Sequence, residues 1–214
     1  MTGWVEAALV TLIVTGFGLL GTGRLRAYVW LVAAQGAALG LVTILAADGG
    51  PSLRTVLLGV AGMLFRGIVF PRLVHRAIRV AGVRREVEPY VGYTPSLLVG
   101  VAALTITLWL GGRVSFPMPS VTPLAFPTAL FLLAVGLFLI VSRRTAITQV
   151  LGYLVLENGI FTFGVAYSSS EPLLIEMGIL LDVFVLVFIM GITISHINRE
   201  FDHIDVDQLR TLRD

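Results

Sequence analysis

The sequence predicts an all-α polytopic transmembrane helix bundle of about seven spans, with the N-terminus outside and the C-terminus in the cytoplasm. The 214 residues are 57% hydrophobic and only 13% charged, whereas a soluble domain carries about 25% charged residues. The mean hydropathy is +0.93. Apolar runs recur along the chain, and each is long enough to cross a hydrocarbon core of about 30 Å as a helix.

Seven apolar runs are separated by connectors that are rich in turn residues or in arginine. We expect residues 1–214 to form one transmembrane domain, with four spans in 1–112 and, in 121–214, a three-span unit followed by a cytoplasmic tail. The first run lacks the basic start and cleavage site of a signal peptide, so we interpret it as a retained span. The predicted spans are 4–22, 27–47, 54–71, 94–112, 124–142, 146–168 and 173–195.

The orientation follows from the arginines in alternate connectors, because basic residues near span ends stay on the cytoplasmic side. All fifteen basic residues are Arg. Two of them, Arg54 and Arg113, fall on one side, and Arg66 lies inside a span. The twelve on the other side are Arg24, Arg26, Arg72, Arg76, Arg79, Arg84, Arg85, Arg143, Arg144, Arg199, Arg210 and Arg213. This bias predicts a cytoplasmic C-terminus and requires an odd number of spans.

Several kinds of chemistry are excluded by residue content. The chain has no cysteine, so it holds no iron–sulfur cluster, thiolate metal site or disulfide. It has no lysine for a retinal Schiff base, and its histidines, His75, His196 and His203, lie in polar segments rather than in spans. The motif Gly16-Phe17-Gly18-Leu19-Leu20-Gly21 matches a dinucleotide fingerprint, but it lies within an apolar span, where small residues favour close helix packing.

Three ionisable residues lie well inside predicted spans: Arg66, Glu157 and Asp182. Such a residue costs about 2.5 to 3.5 kcal/mol on insertion scales, so it normally faces the protein interior or a water path and indicates function. Glu157 lies about 20 Å along span six from Arg144, and Asp182 lies about 21 Å before His196 on span seven. The two carboxyl groups therefore lie at nearly equal depth, where they can share a proton-exchanging cavity. The alternative for Glu157 is a neutral carboxyl group that is hydrogen-bonded to Asn158 or to a backbone carbonyl.

Other polar residues complete the candidate proton path. Arg66 lies five residues before Pro71, whose ring removes a helical hydrogen bond beside it; a polar pathway and an arginine that snorkels to the cytoplasmic interface are both open. Gln35, in the middle of span two, is either a relay member or a hydrogen-bonding link between helices. Glu176 lies near the outer end of span seven and is a candidate exit of the path, and Asn158, next to Glu157, is the sixth candidate member.

Residues 72–85 place Arg72, His75, Arg76 and Arg79 on one helical face. This spacing is typical of a helix that lies along the cytoplasmic headgroups. Two interpretations remain: contact with anionic lipid, or a docking surface for a cytoplasmic partner.

The C-terminal third resembles the three-span chain K of complex I, the NADH–quinone oxidoreductase. The matching pattern is Arg143-Arg144, a span with Gly152 and then a carboxylate, a span with a second carboxylate, and His196 with Ile204-Asp205. Relative to chain K, Leu154 occupies the place of the first carboxylate, and Glu157 follows one helical turn later. The full length, with Glu157-Asn158-Gly159 in the sixth span and Arg66 before Pro71, resembles component E of hydrogenase-4.

The resemblance implies a non-catalytic membrane subunit of a complex-I-like respiratory assembly, such as a group 4 [NiFe]-hydrogenase or formate hydrogenlyase. It implies a multi-pass protein of a bacterial or archaeal cytoplasmic membrane whose neighbours are antiporter-like, quinone-module-like and hydrogenase subunits. The nickel–iron centre and iron–sulfur clusters would belong to those partners, with no cofactor in this chain. The alternatives are a subunit of a multi-subunit cation/proton antiporter and a purely structural scaffold.

Overall fold

The computed structural model describes residues 2–45, 53–80, 89–114 and 122–167, all of which form helices or their connections. The helices are α1 (Thr2–Gly21), α2 (Leu25–Leu45), α3 (Leu53–Leu64), α4 (Phe70–Val80), α5 (Tyr93–Gly111), α6 (Ala125–Ser142) and α7 (Ala146–Tyr167). A π-helical turn, Phe65–Val69, joins α3 to α4 without a break. The predicted all-α class is confirmed.

Helix positions agree closely with the apolar runs from which they were predicted. The ends of α1, α2, α5, α6 and α7 differ from the predicted spans by at most two residues. Within the described residues, four helices are long and apolar enough to cross a membrane, namely α1, α2, α5 and α6. The predicted seventh span, 173–195, lies outside those residues, so the count of seven and the orientation stay predictions.

The third predicted span differs from its expectation. A run over 54–71 was predicted, with an interfacial helix beginning at Arg72, but the structure has one helical run from Leu53 to Val80 that passes through Pro71. The π-helical turn accounts for this continuity. The Phe70 N–H bonds to the Phe65 carbonyl, five residues back, so the regular helical ladder has already shifted where Pro71 offers no N–H.

Close contacts between backbones hold the bundle together. Helices α6 and α7 pack along a seam of three glycines: a Cβ at Gly136 would overlap the backbone of Leu156, one at Gly152 would lie 3.1 Å from Ile140 N, and one at Gly159 would lie 2.9 Å from Ala129 O. Helix α2 contacts α1, α3, the π-helical turn, α4 and α7. It is therefore the central element of the N-terminal half.

The glycines of the apparent dinucleotide motif lie in helix α1 and pack against neighbouring helices. A Cβ at Gly16 would lie 2.8 Å from the Phe131 ring, and one at Gly18 would lie 3.1 Å from Leu31. Both positions allow close approach of another helix, as expected for small residues in a membrane bundle.

A buried arginine fastens one end of the bundle. Arg143, in the connection between α6 and α7, is fully buried. Its Nη2 donates to the Leu20 carbonyl at the end of α1 at 3.1 Å, and its Nη1 donates to the Val91 carbonyl at 3.4 Å. The guanidinium also lies over the Tyr93 ring, 5.1 Å from the centroid. The C-terminal ends of α1 and α6 and the N-terminal end of α5 therefore meet at the same end of the bundle.

Candidate functional site

Glu157 lies near the middle of α7 on the face that the fold covers. Its residue is 1% exposed, and Leu154, one turn earlier, is 4% exposed. Because residues three and four positions apart share a helical face, Leu154 and Glu157 both face the interior. Behind them, Gly136 and Gly152 let α6 approach the backbone of α7 closely. The depth and direction of the carboxyl group are therefore fixed by a packed pair of helices.

Arg66 reaches this carboxyl group from the π-helical turn. Its Nη2 donates to Glu157 Oε1 at 2.9 Å, and the two side chains are 8% and 2% exposed. The turn comes close to α2 because position 36 is glycine: a Cβ there would lie 3.0 Å from the Arg66 carbonyl carbon. The local sequence thus brings the guanidinium group into the bundle interior, and the side chain pairs with Glu157 rather than extending toward a membrane interface.

An aromatic ring covers the cation. The Arg66 Cζ lies 4.3 Å from the centroid of the Phe161 ring, and Phe161 follows Glu157 by four residues, so both project from the same side of α7. The negative face of the ring attracts the guanidinium group. Glu157 therefore provides the negative charge that pairs with the Arg66 guanidinium group, and Phe161 provides the aromatic face that contacts it.

A pair of neutral amides lies next to the ion pair. Asn158 Nδ2 donates to Gln35 Oε1 at 3.1 Å, which links α7 to α2. Both residues are buried, and the Gln35 Nε2 has no hydrogen-bond acceptor among the residues that the structure describes. One turn further along α7, Thr162 Oγ1 donates to the Asn158 backbone carbonyl at 2.7 Å. A line of polar groups thus crosses the interface between α2 and α7.

The pairing has a clear electrostatic basis. Moving a carboxylate and a guanidinium group out of water costs several kcal/mol for each ion, and this cost is offset only when the two charges meet in good geometry. A bond of 2.9 Å between buried partners meets that condition. A carboxyl group can also take up a proton, whereas the guanidinium group stays charged. The pair is therefore an arrangement in which proton uptake at Glu157 removes one of two opposed charges.

Four of the six candidate path residues come together here: Gln35, Arg66, Glu157 and Asn158. Glu176 and Asp182 lie outside the described residues. Among the residues that the structure describes, no group of three or more His, Cys, Asp or Glu side chains is placed to hold a metal ion.

Sequence reasoning did not pair Arg66 with Glu157, and it missed Phe161 and Thr162. The four-residue spacing from Glu157 to Phe161 and from Asn158 to Thr162 was available as a signal that all four share neighbouring faces of one helix. The pairing itself joins residues 91 positions apart, and no local pattern predicts such a contact.

The similarity to known proteins is concentrated in the C-terminal part. The family NADH-ubiquinone/plastoquinone oxidoreductase chain 4L matches residues 124–214. Hydrogenase-4 component E of Escherichia coli K12 is 30% identical over 123 residues, which are 56% of this chain and 57% of that protein. Over this stretch the chain is similar to hydrogenase-4 component E. The resemblance predicted from the sequence is thereby confirmed.

Two further proteins are similar to this chain. The Mycobacterium tuberculosis protein named "Uncharacterized protein Rv0085" is 35% identical over 195 residues, which are 89% of this chain and 87% of that one. Hydrogenase-4 component E of Shigella flexneri shows the same 30% identity over 123 residues, so the matched part covers slightly more than half of the named component E proteins. No solved structure matches the chain.

The N-terminal boundary of the chain 4L match, at residue 124, falls between the residues of the site. Glu157 and Asn158 lie within residues 124–214, whereas Arg66 and Gln35 lie before them. Both polar contacts, Arg66 with Glu157 and Asn158 with Gln35, therefore join the part of the chain that matches chain 4L to the part that precedes it.

Proposed function

We propose that this chain is a non-catalytic membrane subunit of a complex-I-like respiratory assembly of the group 4 [NiFe]-hydrogenase or formate hydrogenlyase type, in which Glu157 belongs to a proton-translocation path. The observation that carries the proposal is the buried ion pair of Arg66 with Glu157, at the junction between the chain 4L part and the preceding helices. The similarity to chain 4L and to hydrogenase-4 component E supports the membrane-subunit role.

The chemistry we propose uses only groups at this junction. Arg66 donates a hydrogen bond to the Glu157 carboxyl group, and a proton that binds to the carboxylate would neutralise it and weaken this bond. Asn158 and Gln35 provide polar groups beside the pair, joined by a hydrogen bond of 3.1 Å. Asp182 and Glu176 are the further path members that we expect on the last predicted span. Nickel–iron and iron–sulfur chemistry would belong to partner subunits.

The direct test is proton translocation by the purified assembly in sealed vesicles. Glu157→Gln keeps the shape of the side chain and removes its charge, so we expect normal subunit content and a loss of coupled proton movement. Glu6→Gln is the matched control, because Glu6 is an exposed carboxylate near the start of α1. Full translocation by Glu157→Gln would overturn the path assignment.

The same assay tests whether Asp182 belongs with Glu157. If the two carboxyl groups act as one unit, Asp182→Asn combined with Glu157→Gln should cost little more than the worse single change, because effects within one network are not additive. Losses that multiply would indicate two independent sites.

The kind of assembly is tested by the proteins that copurify in mild detergent. Hydrogenase large and small subunits, together with antiporter-like and quinone-module-like chains, are expected. Recovery of antiporter chains alone would favour the alternative, a subunit of a cation/proton antiporter.

The seven-span topology is tested by labelling single cysteines in a chain that has none of its own. Arg24→Cys is expected to be labelled from the cytoplasm and Arg113→Cys from outside. The antiparallel run of Leu53–Val80 along α2 supports a span there, since Gly40 faces Gly59 and Gly36 faces Arg66. Labelling of both cysteines from one side would contradict the proposed orientation.

A further inference from the structure

Helix α4 has two sharply different faces. Phe70, Val74 and Ile78 are 2%, 2% and 8% exposed and belong to the buried core. They recur every four residues, so they form one stripe, and α4 packs that stripe mainly against α2 and, to a smaller extent, α7. Its direction is therefore fixed by the bundle.

The opposite face carries three arginines. Arg72, Arg76 and Arg79 are exposed, and their spacing of four and three residues sets them on a side about opposite the apolar stripe. The whole run 53–80 contains no acidic residue. None of the three guanidinium groups has an ion pair or hydrogen bond with another residue that the structure describes. Within the part of the chain that the structure describes, the face is therefore a patch of positive charge without an acidic partner.

The position of the patch along the helix indicates what it meets. A helix that enters the hydrocarbon core near Leu53 and rises about 1.5 Å per residue leaves a core of about 30 Å near residue 73. Arg72 then lies at the edge of the hydrocarbon, and Arg76 and Arg79 lie one and two turns further, in the headgroup layer. The π-helical turn keeps α3 and α4 in one continuous run, so α4 cannot be displaced freely from this depth.

We propose that Arg72, Arg76 and Arg79 form a binding site for an anionic phospholipid, whose headgroup phosphate accepts hydrogen bonds from their guanidinium groups. Guanidinium groups suit this ligand because their planar N–H pairs bind phosphate in a bidentate way. An anionic lipid fits better than a zwitterionic lipid, because it brings no cationic group that would face the arginines. This inference is independent of the proposed function, since it uses no residue of the Arg66–Glu157 site.

The test is lipid binding by the full-length chain, delipidated in mild detergent and titrated with phosphatidylglycerol or phosphatidylcholine, with bound lipid counted by native mass spectrometry. For Arg76→Gln with Arg79→Gln we expect a loss of phosphatidylglycerol affinity on the order of 20-fold, since each surface arginine contributes about fivefold. Phosphatidylcholine binding should not change.

The matched control removes two other exposed arginines, with Arg24→Gln and Arg26→Gln, which are predicted to lie on the same side of the membrane. We expect less than a threefold loss from this pair. Equal losses from both pairs would show diffuse attraction instead of a site and would overturn the proposal. So would a variant that keeps its lipid affinity but loses a protein subunit from the purified assembly, because the face would then be a docking surface for that subunit.

Discussion

Two buried arginines of this chain contrast in what surrounds their charge. Arg66 is 7% exposed and Arg143 is 0% exposed, so both guanidinium groups are removed from water. Arg66 donates to a carboxylate on another helix. Arg143 donates to the backbone carbonyls of Leu20 and Val91, and Leu20 lies at the C-terminal end of α1, where unpaired carbonyls carry partial negative charge.

The difference shows that the partner, more than burial, determines what a buried cation can do. Backbone carbonyls are not protonated in the physiological range, so the two described hydrogen bonds of Arg143 do not depend on the proton supply. A carboxylate can be protonated, so the environment of Arg66 depends on the state of Glu157. The carbonyl contacts of Arg143 are suited to holding helix ends together, whereas the ion pair of Arg66 is suited to responding to proton binding at Glu157.

The largest effect is expected from removing one member of the ion pair. Arg66→Ala leaves a buried carboxylate without its cation and should lower the free energy of unfolding by about 3 to 5 kcal/mol. Arg66→Lys retains a positive charge and should lose less, both in stability and in coupled proton translocation. The measurements are denaturant unfolding in mild detergent and translocation in vesicles.

Removing the charges of both Arg66 and Glu157 distinguishes an effect on stability from an effect on proton translocation. Arg66→Met with Glu157→Met replaces the pair by apolar side chains of similar size, so stability should recover to near the original value, while translocation should stay lost. Recovery of translocation as well would show that the pair serves packing alone. Arg113→Ala, at an exposed arginine beyond α5, is the control.

The second prediction concerns the fastening arginine. Arg143→Ala removes two hydrogen bonds from a charged donor and leaves the Leu20 and Val91 carbonyls without it, which should cost about 2 to 3 kcal/mol of unfolding free energy. Arg144→Ala is the control, because Arg144 is exposed and its guanidinium group stacks on the Tyr90 ring, 4.4 Å from the centroid. Translocation per assembled complex should be unchanged for Arg143→Ala. A loss of coupling without a loss of stability would abolish the contrast between the two arginines.

The third prediction is smaller and concerns the glycine seam behind Glu157. Gly136→Ala places a methyl group against the backbone of Leu156, and we expect a net cost of about 1 to 2 kcal/mol, because overpacking exceeds the gain in helix propensity. At Gly62 a Cβ would have no described atom within 4 Å apart from the neighbouring residues and backbone of its own helix, so Gly62→Ala should be neutral or slightly stabilising. The measurement is thermal unfolding of the two variants, in which Gly136→Ala should melt at the lower temperature. Equal melting temperatures would show that the glycine seam is not tight.

The smallest effect is expected at the neutral amides. Hydrogen bonds between membrane helices contribute about 0.6 kcal/mol on average in double-mutant cycles. A cycle of Gln35→Leu and Asn158→Leu should therefore give a coupling energy near that value, well below that of Arg66 with Glu157. A coupling energy as large as that of the ion pair would mean that charge does not distinguish the two contacts.

The sequence predicted the helices well because a membrane span is defined by length and apolarity, both of which are local properties. It also identified Arg66 and Glu157 as costly charges within spans, and the structure buries both side chains, although for Arg66 the sequence had left an interfacial position open. It did not predict which charge meets which, since that depends on how α2, the π-helical turn and α7 pack. Orientation counting likewise treated Arg143 and Arg144 alike, although one is buried and the other exposed, because side-chain burial at a helix end depends on neighbours distant in sequence.

Because of the π-helical turn at Phe65–Val69, the continuous helical run from α3 to α4 contains one residue more than a regular α-helix of the same geometry would need. Each residue of an α-helix adds about 100° of rotation, so a single deletion that restored a regular helix would swing everything after the turn by about that angle. Arg66 would stay with the part before the deletion, while the apolar stripe of α4 would leave the core and its arginines would leave their side of the bundle. This length-sensitive segment should tolerate substitutions far better than it tolerates the loss of one codon.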